Sequence, residues 1–166
     1  GALFTASGPG VASDVAALPF FPTMAAFFVA AALLLTLVGL CALRPTTASR
    51  LALGAASALF LVVSLASIVS FLSPYVYELP THHCPFDMIQ RGYGFIGYPI
   101  YLALYLSVLF GLLPGVTDVL RRHPSLALLV AVAEPRWLRA CAASTLLLAA
   151  ITCWQVVFSD LSMRGY

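Results

Sequence analysis

The chain has 166 residues, 62% of them hydrophobic and only 8% charged, with a mean hydropathy of +1.02. A soluble domain carries about 25% charged residues to solvate its surface; eight arginines and six acids cannot cover a body of this size in water. A soluble globular enzyme, a nucleic-acid binder and a disordered chain are excluded, and the composition is that of an integral membrane protein. The formal charge of +2 implies no polyanionic partner, so only the placement of the arginines carries information. Lysine is absent while alanine and leucine abound. That usage suits a GC-rich genome and points to a bacterial inner (plasma) membrane.

Residues 1–21 are fairly apolar but broken by Gly8, Pro9, Gly10, Asp14 and Pro19. They read as an exoplasmic lead-in with a short interfacial helix from Val11 to Leu18. Four apolar runs follow, each near the 20 or so residues that a membrane-spanning helix needs. They cover residues 22–43, closing at Arg44-Pro45; 51–72, ending at a Ser73-Pro74 stop; 93–116, with Pro99 and Pro114 near its ends; and 140–158, after Arg136-Trp137-Leu138-Arg139. Backbone polar groups in hydrocarbon must be satisfied within the segment, so each run is predicted to be a helix. The second carries Gly54, Ser57, Ser64 and Ser67 on roughly one side, a face that lets another helix approach closely. The expected fold is all-α: one membrane domain over residues 1–166, a four-helix transmembrane bundle.

Six arginines (44, 50, 121, 122, 136, 139) fall in the 1–2 loop and in the 3–4 loop, residues 117–139, against Arg91 and Arg164 elsewhere. By the positive-inside rule those two loops are cytoplasmic, and both termini and loop 73–92 are exoplasmic. Within the 3–4 loop, Leu126 to Ala133 is an apolar run too short to span, expected to be interfacial, re-entrant or packed on a partner. Three of the four cysteines, Cys41, Cys141 and Cys153, lie in apolar runs as small inert hydrophobes. No span contains a buried acid or base at its middle, which argues against a pump or channel formed by this chain alone.

Loop 73–92 holds the chemistry. Between Glu78 and Asp87 stand two of the three histidines, His82 and His83, two of the six acids, and Cys84, the only cysteine outside the spans. Imidazole, thiolate and carboxylate are donors for copper or zinc, and Pro80 and Pro85 stiffen the segment. One reading is therefore a metal site built from Cys84, His82, His83, Asp87 and Glu78. The other is that these groups hydrogen-bond at the lipid–water boundary and cap the third helix, with Asp87 as the cap. Haem is disfavoured, since no span contains a histidine. A quinone could sit among Tyr93, Phe95, Tyr98, Tyr101 and Tyr105, which otherwise form an interfacial aromatic belt. The GxGxxG of Gly92, Gly94 and Gly97 lacks the preceding strand of a dinucleotide site and reads as a packing or turn feature.

Cys84-Pro-Phe-Asp87 resembles the Cys-Pro-x-Cys of thiol oxidoreductases, with Asp in place of the second cysteine. Small four-helix membrane proteins that pass electrons from thiols to quinone, such as the vitamin K epoxide reductase family, keep similar motifs at exoplasmic helix ends. The resemblance implies thiol chemistry at Cys84, but without a resolving cysteine a disulfide-exchange cycle within the chain fails. Three functions follow. The first is a membrane subunit whose loop binds copper or zinc or supports redox chemistry. The second is a non-catalytic docking subunit of a membrane complex or homo-oligomer, the loop meeting an exoplasmic partner. The third is a thiol-redox enzyme using Cys84.

Overall fold

In the computed structural model, residues 10–161 are described; residues 1–9 of the expected lead-in, and Arg164 of the charge count, lie outside them. The fold is all-α. Helix α1 (Val11–Ala16) is followed by α2 (Phe20–Leu43), α3 (Thr47–Ser67), α4 (Ser73–Tyr77), α5 (Gly97–Thr117) and α6 (Pro124–Phe158). Four stretches are long and apolar enough to cross a membrane: Phe20–Leu43, Thr47–Tyr77, Gly97–Arg122 and Pro124–Phe158. They pack as a closed ring, α2 on α3, α3 on α5, α5 on α6, with α2 and α6 meeting along a much looser seam.

The bounds of the second, third and fourth spans differ from the sequence expectation. The second span starts at Thr47, because Thr46 and Ser49 form a reciprocal capping box. It runs through the expected Ser73-Pro74 stop: residues Ile68–Leu72 form a π-helical turn that continues into α4, a local adjustment that accommodates Pro74, which has no N–H to donate. The third span starts at Gly97 rather than residue 93, after two 3₁₀ turns, Asp87–Ile89 and Arg91–Tyr93. The fourth starts at Pro124, so the short apolar run 126–133 belongs to a single 35-residue helix with Pro135 inside it. At 1.5 Å per residue that helix is about 52 Å long, well beyond the 30 Å or so of a hydrocarbon core.

The small-residue face of α3 is spent inside the chain. Ser57, Ser64 and Ser67 are buried, and Gly54 lies 4.0 Å from Gly115 of α5, measured from an ideal Cβ. A Cβ on Gly111 would fall 2.1 Å from Ser57 Oγ and 3.2 Å from Cys141 Sγ, so α3, α5 and α6 converge where only glycine fits. Ser107 and Thr145 share a 2.6 Å hydrogen bond between α5 and α6. At the other end of the bundle Phe20, Phe27, Phe60, Phe71 and Tyr75 form a chain of ring contacts with centroids 5.2–6.2 Å apart. Lipid tails are as apolar as leucine, so this close packing and these few buried hydrogen bonds hold the bundle together.

Candidate functional site

Residues 78–96 fold into a cap over the end of the bundle where the ring chain lies, and several of its polar groups fasten it there. A π turn disturbs the regular carbonyl ladder. Ser73 Oγ donates to Ile68 O at 2.7 Å, and His83 Nδ1 donates to Val69 O at 3.0 Å. His83 is thereby 8% exposed and tied to α3's extension. Tyr77 donates to Cys84 O at 2.5 Å, and Tyr101 donates to Pro85 O, so both α4 and α5 hold the Cys84-Pro85 backbone. Met88 fills the space beneath, fully buried.

The five residues expected to converge on one ion are distributed among different partners. His82 Nε2 bonds Asp87 Oδ2 at 2.8 Å, with its ring edge-on to Tyr77. Asp87 Oδ1 accepts from Gln90 at 2.9 Å; it caps no helix, which corrects the expectation that it would start the third span. Glu78, held at φ 56°, accepts from the backbone N–H of Asp160 at 3.0 Å and so ties the chain's C-terminal end to the cap. Cys84 is a free, part-exposed thiol. Among the described residues no three of His, Cys, Asp and Glu come together as a metal-ligand set. The glycines of the GxGxxG act as packing and turn residues: Gly94 has φ 61°, and a Cβ on Gly97 would meet Ile89 Cγ2 at 2.8 Å.

The outer surface of the cap is mixed: Glu78, Thr81, Gln90 and Arg91 are exposed on it, and large apolar side chains stand beside them and at the start of α5. Leu79, Phe86, Phe95 and Tyr98 are exposed, Phe95 at 47% and Tyr98 at 60%. Phe95 also has φ 58°, a left-handed conformation that is an outlier for a bulky side chain and costs on the order of 1–3 kcal/mol. The energy is spent on a backbone turn that leaves an aromatic ring outside.

At the opposite, basic end lies a cluster that local sequence patterns did not reveal. Arg50, in the first turn of α3, is 7% exposed, and Glu134 of α6 is 6% exposed. Arg50 Nε and Nη2 donate to the two Glu134 carboxylate oxygens at 2.7 and 3.4 Å, and Arg50 Nη1 donates to Asp118 at 3.0 Å. Arg121 also donates to Glu134. The arginines had been legible only as topology markers. One signal was present: Arg50 precedes Gly54 and Ser57 by four and seven residues, on the same buried helix face. Compared with known proteins, the chain matches no family model, no curated sequence and no solved structure.

Proposed function

We propose that the chain is a small non-catalytic membrane subunit of a larger complex in a bacterial inner membrane, with the cap outside and the basic end in the cytoplasm. One observation carries this reading: Leu79, Phe86 and Phe95 of the cap and Tyr98 beside it stand exposed, while the loop beneath them is fastened to the bundle. His83, Glu78 and the Cys84-Pro85 carbonyls all serve the fold. The outward residues Leu79, Phe95 and Tyr98 suit an apolar and aromatic surface of another membrane subunit at the head-group level. The strain at Phe95 supports a role for its ring beyond stability.

Site-specific photo-crosslinkers at Leu79, Phe95 and Tyr98 test this in intact membranes, with lipid-side positions Val29 and Val62 as controls. A discrete adduct of one mass from the cap positions alone is expected. Equal labelling of cap and control positions would leave the cap as a lipid-facing aromatic belt and end the docking reading.

A second reading has its own support in the His82–Asp87 bond. Metal-binding imidazoles commonly anchor their other ring nitrogen on a carboxylate. His82 Nδ1 and the Cys84 thiolate would then be the ligands for copper or zinc, completed by water or a partner's residue, with Asp87 orienting rather than ligating. Metal analysis of the purified protein checks it. Bound copper or zinc in wild type, lost in Cys84→Ser and in His82→Ala but kept in Cys153→Ser, is the expected pattern. Nil metal in wild type, or content indifferent to these changes, refutes it.

A further inference from the structure

The loose seam between α2 and α6 opens at the basic end into a partly enclosed cavity of about 500 Å³. Its walls are apolar, with Val38 and Ala42 from α2 and Leu138 and Ala142 from α6; its polar border is Arg50, Arg121, Arg139 and Glu134. The size falls in the ordinary range of ligand sites. We propose that this cavity holds the phosphate head group of an anionic phospholipid, with the start of the acyl chains lying along the α2–α6 wall.

Charge comes first. Three guanidinium groups and one carboxylate border the cavity. Asp118 bonds Arg50 without lining the space, so the cluster keeps an excess of one positive charge. Arg50 is fully committed, since all three of its nitrogens bond to Glu134 or Asp118. Arg121 is different. It gives only Nη2 to Glu134, and its Nε has no hydrogen-bond partner, so the guanidinium that lines the cavity has unused bonding capacity. A phosphate oxygen is an acceptor that guanidinium groups favour, and a small rotation of the group would turn a free donor towards one. Arg139, exposed on the same border, supplies a further positive charge.

Depth and access agree with this ligand. α2 ends at Leu43 and Arg50 stands in the first turn of α3, so the charged border lies at the ends of spanning helices, where head groups are found. The apolar wall continues from there towards the middle of the spans, and the loose seam gives lateral access from a bilayer. A cation would face three guanidinium groups. A wholly apolar molecule would leave the arginine border without a counter-charge.

Three variants separate the head-group and tail contributions; Gly39→Leu and Arg139→Gln leave the ion pairs intact, and Arg121→Gln also removes the Arg121–Glu134 pair. Gly39 lines the cavity, and a Cβ there meets nothing within 4 Å, so Gly39→Leu fills the space without disturbing packing. Arg139→Gln removes a border charge, and Arg121→Gln removes the guanidinium with a free donor. Native mass spectrometry of detergent-solubilised protein would count bound phosphatidylglycerol against phosphatidylcholine, with inorganic phosphate as a separate arm. We expect one phosphatidylglycerol bound in preference to phosphatidylcholine, displaced by Gly39→Leu. Affinity should fall about tenfold in Arg121→Gln, the loss expected for one charge-assisted hydrogen bond, and fall in Arg139→Gln as well. Equal binding of the two lipids, or retention in Gly39→Leu, overturns the proposal. Inorganic phosphate binding as well as phosphatidylglycerol would overturn the lipid assignment in favour of a free anion. Should Arg121→Gln fail to fold, Gly39→Leu and Arg139→Gln still decide.

Discussion

Replacing Glu134 by alanine removes the only carboxylate that joins α3, α6 and the turn after α5. The side chain accepts from Arg50 Nε at 2.7 Å, from Arg50 Nη2 at 3.4 Å and from Arg121. Without it, Arg50 keeps only Asp118, and two guanidinium groups face each other in a site where Arg50 is 7% exposed. Removing one partner of a buried ion pair costs about 3–5 kcal/mol, because the other charge stays buried and uncompensated. For a chain of this length a loss of 1 kcal/mol lowers Tm by about 2–4 °C, so Glu134→Ala should lower it by roughly 6–20 °C. Thermal unfolding in detergent, followed by tryptophan fluorescence from Trp137 and Trp154, measures the shift. Glu134→Gln keeps an acceptor and should fall between. The double change Arg50→Met with Glu134→Leu removes both charges of the most buried pair, leaving Arg121 and Asp118 with opposite signs. It should be less damaging than either single change, since buried pairs are often replaceable by apolar residues of similar volume. Additive losses in the double variant, or a Glu134→Ala shift no larger than that of the exposed Asp14→Ala, would refute the reasoning.

Gly111→Ala should cost about 1–3 kcal/mol, because its Cβ would overlap Ser57 Oγ at 2.1 Å; Ser57→Gly in the same chain should restore most of the loss in the same melting assay. His83→Ala leaves the buried Val69 carbonyl without its donor, about 1–3 kcal/mol by the usual cost of an orphaned buried group. Amide exchange across residues 78–96 should quicken in that variant and slow again in His83→Asn, whose amide can donate from a similar position; unchanged exchange would mean that the histidine does not anchor the cap. Reporter fusions near Thr81 should report an exoplasmic site and fusions near Arg122 a cytoplasmic one, as the arginine distribution requires. A cytoplasmic signal from Thr81 would reverse the orientation.

The four spans were legible because hydrocarbon leaves the backbone no other choice, and hydrophobic length alone marks them. The Gly54–Ser57–Ser64–Ser67 face was legible too, though its partner is α5 of the same chain rather than another protein. Proline is a poor boundary marker here: Pro74, expected to stop the second span, begins a helical turn after the π segment, and Pro135 lies within α6. A proline costs a helix one hydrogen bond, and in a membrane span neighbouring helices and local π adjustments make up for it. The arrangement of side chains within the cap was not legible in the sequence. Clustering in sequence placed His82, His83, Cys84 and Asp87 together, but adjacent side chains point apart, and the π-turn carbonyl that takes His83 lies 14 residues earlier. The Arg50–Glu134 pair spans 84 residues and belongs to no local window.

The central claim is that the exposed apolar side chains at the cap hold this chain to another membrane subunit, and a mass measurement tests it most directly. After gentle extraction of native membranes, the affinity-purified wild-type protein should have a mass above that of its own 17.6 kDa chain, with one partner in fixed ratio. Phe95→Ser with Tyr98→Ser, both exposed and so neutral to the fold, should release that partner and leave the 17.6 kDa chain alone. A monomeric wild type, or an association that survives the double substitution, would contradict the account.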